Sequence, residues 1–541
     1  ALIAHPNAAR SRSIPPPAQL YGAARLNSRG VEFGDGKALR ALLADVEAGT
    51  ANAPRDAGEA RHGQARALDS PIDGRAIGTV YELSDEGAQA AVARALSGFS
   101  AWSMFSADHR ASILERLADR LEANRGMLLS LLAREAGKTL DDALAELREA
   151  VDFCRFYASE ARRIFGEPVR LPGPTGEDNR LTLRGRGVFV CISPWNFPLA
   201  IFLGQVTAAL AAGNSVVAKP AEQTPLIAAA AVALAHDAGV PKEALVLVPG
   251  DGRAGAALVA DKRIAGVAFT GSVEVAWAIN QALAAKRGPI VPLIAETGGI
   301  NAMIVDATAL PEQVTDDVVT SAFRSAGQRC SALRLLCLQD DIAHRFLAMI
   351  EGGAQELRMG DPRDPATHIG PVIDRDAAAK LDAYVDSAER AGRLLWRALP
   401  NSDLQGSFVR PAIIRLERPE DLTEEVFGPI LHVTTWKAGA LDGLLDAIAS
   451  NGTGLTLAVH SRIDAVVDGV IAGMNHGNIY VNRNMIGAVV GSQPFGGSGL
   501  SGTGPKAGGP HTLVRFALEQ VVSINTAAAG GNASLLTVGG D

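Results

Sequence analysis

One cysteine of the chain stands in a context that suits covalent chemistry. Cys330 lies in SAGQRCSALR, a polar segment that contains a glycine and places Arg329 beside the thiol. A nucleophilic thiol needs solvent access and help in forming the thiolate, and a neighbouring cation in flexible surroundings is consistent with both. A lone cysteine is more often a small core residue, and that role suits Cys154, Cys191 and Cys337, which have apolar neighbours. We therefore predict that Cys330 is a nucleophile.

An asparagine and a glutamate could assist such a thiol. The segment SPWNFPLA holds Asn196 in a loop between two prolines, so that one side-chain amide could donate to a developing oxyanion. The alternative is a loop amide that bonds its own backbone. Glu296 follows the apolar stretch 290–295 and precedes TGG, which places a carboxylate at the end of a buried strand. Burial there would raise its pKa towards the working range of a base, whereas a solvated strand-end acid would have no such role.

A glycine-rich turn offers one candidate phosphate site. Gly250, Gly252 and Gly255 form GxGxxG after the apolar run 244–248, which is the pattern of a dinucleotide-binding turn before a helix. That pattern expects an acidic residue on a strand about 20 residues later, where this chain reads VAFT. A chance turn therefore stays open beside a binding loop.

A second candidate phosphate site follows a few residues later. The predicted strand 265–269 runs into Thr270, Gly271 and Ser272, and a helix is expected from Val273. The first turn of a helix offers free N–H groups and a positive dipole end to a pyrophosphate, and the Ser272 hydroxyl adds a donor. An ordinary capped helix is the alternative.

These residues need rigid elements to hold them, and the hydrophobic periodicity predicts such elements. Strand-like alternation at 180–190 is followed by alternating helical and β-branched runs to about residue 294, which implies a parallel βαβ sheet. A second α/β unit is expected in the later half, with a strand at 477–482. The fold class predicted is therefore α/β. Apolar spacing predicts helices at 37–48, 85–97, 108–134, 141–164, 314–359 and 376–395, with Ser106 or Asp108 as a cap.

Composition excludes several functional classes. A chain of 541 residues with 47% hydrophobic residues and a net charge of −8 is long enough for two or three globular units and has no basic field for nucleic acid. Four cysteines without a CxxC pair indicate neither a disulfide framework nor a metal site, and they favour the cytoplasm. The most apolar stretch, 202–218, contains polar residues and ends at Lys219, so we predict no membrane span. Residues 1–65 are expected to form a leader or linker, and the low-complexity tail 525–541 to be frayed or used for subunit contacts.

Seven motifs resemble the aldehyde dehydrogenase superfamily over about residues 65–525. In chain order they are SPWNFP, KPAEQTP, FTGS, ETGG, GQRC, EEVFGP and QPFGGSG. The segments GQRCSALR, IGAVVGSQPFGG, LSGTGPKAGGP and INTAAAGGNASLL resemble the branch that oxidises L-glutamate γ-semialdehyde, which is in equilibrium with Δ1-pyrroline-5-carboxylate, to L-glutamate. The leader PPPAQLYG resembles the connector that follows a proline dehydrogenase barrel in bifunctional members.

The resemblance implies an NAD-dependent reaction and assigns residues to it. Cys330 would attack the aldehyde, Asn196 and the Cys330 backbone N–H would stabilise the oxyanion, and Glu296 would activate the water that hydrolyses the thioester. No metal is implied. The implied cofactor contacts are Ser193, Pro194, Trp195, Lys219, Glu222, Gly252, Thr270, Gly271, Ser272, Glu425 and Phe427. The implied substrate contacts are Glu149, Arg329, Ser331, Gly487, Ala488 and Phe495.

The resemblance also implies a domain plan. After the leader 1–65, a Rossmann-like NAD-binding domain would occupy 66–298, a catalytic α/β domain 299–498, and a C-terminal strand and tail 499–541. A β-hairpin near 167–186 and a strand near 513–525 would complete a partner's sheet, which predicts a homodimer. Three alternatives stay open: a different aldehyde such as a betaine-type or succinate-semialdehyde substrate, an inactive binding module, and a half-enzyme supplied by a separate proline dehydrogenase.

Overall fold

The computed structural model describes residues 14–58, 63–174 and 176–526. Predicted features on residues 1–13 and on the tail beyond 526 lie outside these ranges. Within them the chain forms an N-terminal helical layer, two successive sheets built mainly of parallel strands, and a small antiparallel sheet. None of the helices in these ranges is both long enough and apolar enough to cross a membrane.

The helical layer is organised around one long helix, α5. The Thr139 hydroxyl caps α5 by accepting from the Asp142 N–H, and Arg162 and Arg163 lie in its last turn, where cations interact favourably with the helix dipole. The helix predicted at 108–134 is wrong as a single element, because Asn124 leaves helical geometry at φ −103° and ψ 22° and divides it in two. The elements are α1 (Gly36–Asn52), β1 (Asp56–Ala57), β2 (Gly63–Asp69), β3 (Ala76–Leu83), α2 (Asp85–Trp102), α3 (Ala107–Ala123), α4 (Arg125–Ala136), α5 (Leu140–Phe165), β4 (Val169–Leu171) and β5 (Asp178–Gly185), after a short 3₁₀ turn at Pro17–Gln19.

The first large sheet has five parallel strands in the order β10-β9-β6-β7-β8. Its central strands read VFVCI and SVVAK and are buried along nearly their whole length, as expected when helices cover both faces. The chain leaves β6 towards β7 on one side and later returns on the other side at β9, and ligands bind at the carboxyl ends of strands where the order reverses in this way. The elements are β6 (Val188–Ile192), α6 (Ala200–Ala211), β7 (Ser215–Lys219), α7 (Pro225–Ala238), β8 (Leu245–Leu247), α8 (Gly252–Ala260), β9 (Ile264–Gly271), α9 (Val273–Ala285) and β10 (Leu293–Thr297).

The second large sheet has seven strands in the order β13-β14-β15-β12-β11-β17-β18, and only β13 is antiparallel to its neighbour. The helix predicted across 314–359 is wrong in its middle, which holds a 3₁₀ turn at Arg324–Gly327, the Cys330 loop and a buried strand. Periodicity alone does not separate a short apolar run such as LLCLQ from a buried helix segment. The elements are β11 (Ala302–Val305), α10 (Pro311–Phe323), β12 (Leu335–Gln339), α11 (Asp340–Gln355), α12 (Arg375–Arg390), β13 (Leu394–Arg397), β14 (Ala412–Arg415), β15 (Ile430–Trp436), α13 (Leu441–Ala449), β16 (Thr453–Gly454), β17 (Thr456–His460), α14 (Asp464–Gly473) and β18 (Asn478–Val481), with a 3₁₀ turn at Pro419–Asp421.

The third sheet joins the middle of the chain to its end. After β19 (Ser498–Gly499) and α15 (Thr512–Arg515), β20 (Ala517–Ile524) pairs antiparallel with β5 along its whole length, and β4 pairs with the other edge of β5. This sheet exposes the apolar side chains of Val169, Val521, Val522 and Ile524. The predicted hairpin at 167–186 and strand near 513–525 therefore form one three-stranded sheet, whose apolar surface has no partner within the described chain.

A single buried amide connects this small sheet to the first large sheet. The Asn214 Oδ1 accepts from the N–H groups of Arg186 and Gly187 at 2.6 and 3.1 Å. Its Nδ2 donates to the carbonyls of Ala209 and Phe516 at 3.1 and 2.9 Å. The residue is fully buried, so the N–H groups of Arg186 and Gly187 and the Phe516 carbonyl depend on its side chain for these hydrogen bonds.

Replacing Asn214 with alanine is expected to lower the free energy of unfolding by about 3 kcal/mol, because it leaves buried N–H and C=O groups without partners. Chemical denaturation followed by circular dichroism would measure the change. Asn52→Ala is the control, since this exposed amide bonds only its own helix, and a change below about 0.5 kcal/mol is expected there. Equal losses in the two variants would contradict the bridging role of Asn214.

Candidate active site

Two cavities meet at Cys330. The larger has a volume of about 780 Å³ and the smaller about 120 Å³, and both include Ile201, Thr270, Thr297 and Cys330 in their walls. Thr270 and Thr297 belong to the carboxyl ends of β9 and β10, whereas Cys330 lies just before the amino end of β12. Cys330, which precedes a strand of the second sheet, thus faces the carboxyl edge of the first sheet. One of the two cavities lies on each side of its thiol.

The turn before Cys330 has an unusual backbone. Ser325, Ala326 and Gly327 all adopt positive φ, at 56°, 53° and 67°, which costs a residue with a side chain about 1 kcal/mol or more. Asp142 holds this turn by accepting from the Ser325 hydroxyl at 2.8 Å and from the Arg329 guanidinium at 2.8 Å. At Gly327 a Cβ would lie 2.0 Å from a backbone carbonyl, so only glycine fits. Such an over-determined turn indicates that the path of the chain into Cys330 is fixed.

Two buried side chains hold the backbone on either side of the thiol. Asn301 donates to the Cys330 carbonyl at 2.6 Å, and Arg334 donates to the carbonyls of Gly327 and Arg329 at 2.7 and 3.0 Å. Both are almost completely buried. These bonds fix the backbone from which Cys330 faces both cavities, with Arg329 and Ser331 beside it in the wall of the smaller one.

The resting thiol of Cys330 is protonated at neutral pH. Burial raises its pKa to about 12, the carboxylates of Glu425, Glu296 and Glu149 act in the same direction, and Arg329 opposes them. The help expected from Arg329 is therefore present but outweighed, and the guanidinium is itself engaged by Asp142. A nucleophilic role requires that a nearby group accept the thiol proton.

Glu296 has the environment of a general base. It lies near the end of β10 and lines the smaller cavity, where its Oε2 accepts from the Gly497 N–H at 3.0 Å. Its Oε1 is buried and has no hydrogen-bond partner among the described residues. A Cβ at Gly496 or Gly502 would lie 2.7 or 2.8 Å from the carboxylate, so glycines make room for it. Burial raises the pKa of Glu296 to about 8, although the Gly497 N–H and Lys506 act against this.

Asn196 follows β6 and lines the larger cavity beside Cys330. Its Nδ2 donates to the Gln328 carbonyl at 3.1 Å, and its own backbone carbonyl accepts from Lys138 at 2.6 Å. Lys138 is buried, pairs with Glu146 at 2.7 Å and lies 3.9 Å from the centre of the Phe197 ring. The loop amide does not bond its own backbone, which was the alternative, but is oriented by the Cys330 loop.

Most of the predicted cofactor contacts gather on the larger cavity. Ser272 caps α9 by accepting from the Val275 N–H at 3.3 Å, so the first turn of α9 opens onto this cavity. Glu425 pairs with Arg334 at 3.3 Å and packs so closely on Gly298 that a Cβ there would lie 1.8 Å from its Oε2. The predicted residues in this wall are Pro194, Trp195, Thr270, Gly271, Ser272, Glu425 and Phe427.

The other predicted cofactor contacts do not line this cavity. They are Ser193, Lys219, Glu222 and Gly252. Lys219 is the last residue of β7, and a Cβ at Gly255 would lie 3.4 Å from its side chain. Burial lowers the pKa of Lys219 while Glu222 raises it, so the two charges are close in space. The GxGxxG turn thus leads from β8 into α8 beside Lys219, next to the site rather than in its wall.

All predicted substrate contacts line the smaller cavity. They are Glu149, Arg329, Ser331, Gly487, Ala488 and Phe495. Burial raises the pKa of Glu149 to about 7, and Glu146 adds to this while Arg329 and Lys138 oppose it. The sequence reading missed the aromatic wall of Phe153, Tyr157, Phe197 and Phe516. The spacing of Glu149, Phe153 and Tyr157 along α5 could have revealed part of it, because residues four apart share a helix face.

The chain matches the aldehyde dehydrogenase family over residues 59–522 and belongs to that family. It is 47% identical over 518 residues to bifunctional protein PutA of Klebsiella aerogenes, covering 93% of this chain and 38% of that protein. It is also 36% identical over 454 residues to 1-pyrroline-5-carboxylate dehydrogenase of Geobacillus kaustophilus, covering 83% of this chain and 87% of that enzyme. The chain therefore spans 38% of this bifunctional relative and 87% of the shorter enzyme.

Solved structures agree with this assignment. Proline utilization A of Bradyrhizobium japonicum, solved as a variant, matches with a TM-score of 0.89 and 59% identity over 97% of this chain and 51% of its own. The 1-pyrroline-5-carboxylate dehydrogenase from Thermus with bound NAD matches with a TM-score of 0.87 and 31% identity over 92% of this chain and 99% of its own. The predicted α/β class and the aldehyde dehydrogenase fold are confirmed.

Iodoacetamide is expected to modify Cys330 selectively, because Cys154, Cys191 and Cys337 are buried and only Cys330 faces a cavity. Iodoacetamide reacts with the thiolate, and the pKa of Cys330 is about 12. The rate of alkylation should therefore rise about tenfold for each pH unit between pH 7 and 10. Peptide mass spectrometry would follow both the site and the rate. A rate that levels off below pH 8 would show instead that the site stabilises the thiolate.

Proposed function

We propose that the chain catalyses the NAD-dependent oxidation of L-glutamate γ-semialdehyde to L-glutamate through a thiohemiacetal and a thioester on Cys330. The observation that carries the proposal is the position of the Cys330 thiol between two cavities. The larger cavity is bordered by a helix N-terminus and a carboxylate, which suit the pyrophosphate and ribose of a dinucleotide. The smaller cavity is bordered by a candidate general base, a cation and backbone amides. The names of the shorter relatives support the same reaction.

The larger cavity has the donors and acceptors that suit NAD. The first turn of α9, capped by Ser272, would hold the pyrophosphate, and Glu425 with Phe427 would contact the nicotinamide ribose. Lys219 and Glu222 lie beyond this wall, where they would bind the adenosine ribose, and the Glu222 carboxylate would repel a 2′-phosphate. Bound NAD would supply the acceptor for the hydride that leaves the substrate carbon. In this proposal, residues 66–298 bind NAD and residues 299–498 carry the nucleophile.

The first half of the reaction forms a bond between sulfur and the aldehyde carbon. As the Cys330 Sγ attacks the carbonyl, the thiol proton passes to the Glu296 carboxylate or to water, and negative charge develops on the carbonyl oxygen. The Asn196 amide and the Cys330 backbone N–H would donate to that oxygen, a kind of stabilisation commonly worth about 3 kcal/mol. Lys138 and Gln328 keep the Asn196 loop in place, so the donor is oriented before the substrate arrives.

The second half breaks the thioester. Glu296 would accept a proton from a water molecule as that water attacks the acyl carbon, and the carbon–sulfur bond then breaks to release the carboxylate product and the thiol. A pKa of about 8 makes the carboxylate basic enough for this role while leaving it partly ionised near neutrality. Its unbonded Oε1 is available to the water.

The smaller cavity would select an aldehyde that carries a carboxylate. Its wall combines the Arg329 guanidinium with Ser331 and the Gly487–Ala488 backbone, whose N–H groups and hydroxyl can bind an α-carboxylate, while Phe495 and Glu149 complete the enclosure. A succinate-type aldehyde would place its carboxylate at another distance, and a simple aldehyde would leave these donors unused.

Two partners belong to the proposal. The three-stranded sheet with its exposed apolar edge would pair with a second copy of the chain in a homodimer. A proline dehydrogenase domain would supply the substrate, as the bifunctional relatives suggest. A cytoplasmic location is consistent with four cysteines that are all unpaired.

NADH formation tests the proposed reaction directly. At saturating NAD, turnover of L-glutamate γ-semialdehyde is expected to exceed that of succinate semialdehyde and propanal, and Cys330→Ala should abolish it because no covalent intermediate can form. Cys337→Ala, which changes a buried thiol of β12, should retain activity. Equal turnover of the three aldehydes would refute the carboxylate-binding role of the smaller cavity, and no turnover of any would favour an inactive binding module.

Glu296→Gln is expected to lower kcat at least about 100-fold, because hydrolysis loses its base, while a slowed NADH burst still approaches one per active site, because the thiol can lose its proton to water during acylation. In the unchanged protein, hydrolysis should rise with pH through about 8 as Glu296 ionises, and at pH 6 it should be about 100-fold slower than its maximum. Stopped-flow absorbance measures burst and steady state together. Exposed Glu389→Gln is the control. A fast steady state without a burst in Glu296→Gln would assign the base elsewhere.

A further inference from the structure

A short stretch of the leader packs against the loop that carries Gly487 and Ala488. We call residues 20–29 the leader strap and residues 485–493 the anchor loop. The strap lies outside the range 59–522 that matches the aldehyde dehydrogenase family. Most of the strap is exposed, yet Arg25 within it is buried together with Asn27 and Ser28, and only 8% of the Arg25 surface is exposed. A buried arginine requires an explanation, because its guanidinium must find partners for its hydrogen-bond donors.

The partners of Arg25 fix its guanidinium completely. Nη1 donates to the Asp152 carboxylate at 2.8 Å, and Nη2 donates to the Val490 carbonyl at 2.6 Å. The guanidinium carbon lies 3.6 Å from the centre of the Tyr21 ring on one side and 5.9 Å from that of Phe156 on another. A charged guanidinium that donates to two separate acceptors and stacks on an aromatic ring is held in a defined orientation.

Two peptide bonds separate Val490, which Arg25 contacts, from Ala488 in the wall of the smaller cavity. Val490 is two residues beyond Ala488, whose position in the cavity wall is described above. The turn around it is closed by the Gln493 N–H, which donates to the Val489 carbonyl at 2.7 Å, and by the Gly491 N–H, which donates to the Gly508 carbonyl at 2.9 Å. Arg25 itself does not line the cavity. It therefore holds the anchor loop from behind.

The other end of the anchor loop is held independently. The Met485 N–H donates to the Ser321 hydroxyl at 3.1 Å, and the Tyr480 hydroxyl donates to the Gly487 carbonyl at 3.4 Å. With Arg25 removed, the loop would keep these attachments and the backbone bonds at Val489 and Gly491, and it would lose the side-chain bond to the Val490 carbonyl. Gly487 has φ +92° and leaves open space around its α-carbon, so it can absorb the resulting rotation.

We propose that Arg25 is a positioning residue for substrate recognition: through the Val490 carbonyl it sets the direction of the Gly487 and Ala488 N–H groups towards the substrate carboxylate. The inference rests on the proposed function and extends the substrate site to the leader strap. Hydrogen bonds weaken steeply as donors turn away from their acceptors, so a small rotation of this loop weakens carboxylate binding. Attack at the aldehyde and NAD binding use other residues and do not depend on Arg25.

The test compares kcat and KM of Arg25→Ala for two aldehydes. For L-glutamate γ-semialdehyde, KM is expected to rise about tenfold, the effect of losing one well-directed hydrogen bond to a charged group. For propanal, kcat/KM should stay within about twofold, and so should KM for NAD. Added guanidinium ion should restore part of the lost affinity in Arg25→Ala and none in the unchanged protein. Arg25→Lys should behave like Arg25→Ala, because an ammonium lacks the planar fork that reaches the Asp152 carboxylate and the Val490 carbonyl together while stacking on the Tyr21 ring.

Arg29→Ala is the matched control, because this strap arginine is 82% exposed at its side chain and pairs with Glu122, away from the anchor loop. If Arg25→Ala does not fold, Tyr21→Leu removes the stacked ring and keeps the ion pair, and it should show the same KM change at smaller size. A uniform loss for both aldehydes, or a lower melting temperature with unchanged KM, would overturn the proposal in favour of a purely structural strap. If the unchanged protein shows no preference for the carboxylate-bearing aldehyde, the proposed function itself fails, and the role of Arg25 fails with it.

Discussion

The structure is dominated by the need to hold several acids around one largely buried thiol. Glu296, Glu425 and Glu149 all act electrostatically on Cys330, and like charges in a poorly solvated site repel strongly. Two responses are visible. Buried cations stand among the acids, with Arg329, Lys138 and Arg334 as the nearest, and the pKa values of Glu149 and Glu296 are raised to about 7 and 8. The site therefore keeps its total charge low near neutral pH, and small changes of protonation alter it substantially.

Helix α5 organises these charges. One face of it carries Asp142, which holds the turn before the thiol, then Glu146, which pairs with the lysine behind the Asn196 loop. Further along the same face, Glu149 lines the smaller cavity and Asp152 binds the leader strap. Steps of three and four residues keep the four acids in one row. This one rigid helix therefore helps to position the Cys330 loop, the Asn196 loop, the smaller cavity and the leader strap. A shift of α5 would disturb all four together.

The sequence could predict the residues around the thiol better than the residues that hold them in place. Motif context placed Cys330, Glu296 and Asn196 near one another, and the structure puts them on two adjoining cavities. It could not predict Asn301 or Arg334, because a residue that bonds a backbone carbonyl carries no spacing rule and its partner becomes a neighbour only after folding. Arg25 was hidden for the same reason, since it lies 465 positions from Val490 in a segment whose composition suggests a linker.

The charge balance also determines how the thiol can be activated. With a thiol pKa of about 12 and a carboxyl pKa of about 8, moving the proton from Cys330 to ionised Glu296 is uphill by about 5 kcal/mol. An enzyme that turns over about ten times each second has an overall barrier of about 16 kcal/mol, so a step of this size is admissible. A permanently ionised thiolate is therefore unnecessary. Moreover, ionising Cys330 while Glu296 stays charged would add a further negative charge to the cluster, whereas transfer to Glu296 leaves the total charge unchanged. Glu296, which in the proposed reaction takes a proton from water, is thus also the acceptor that the electrostatics of the resting site favour for the thiol proton.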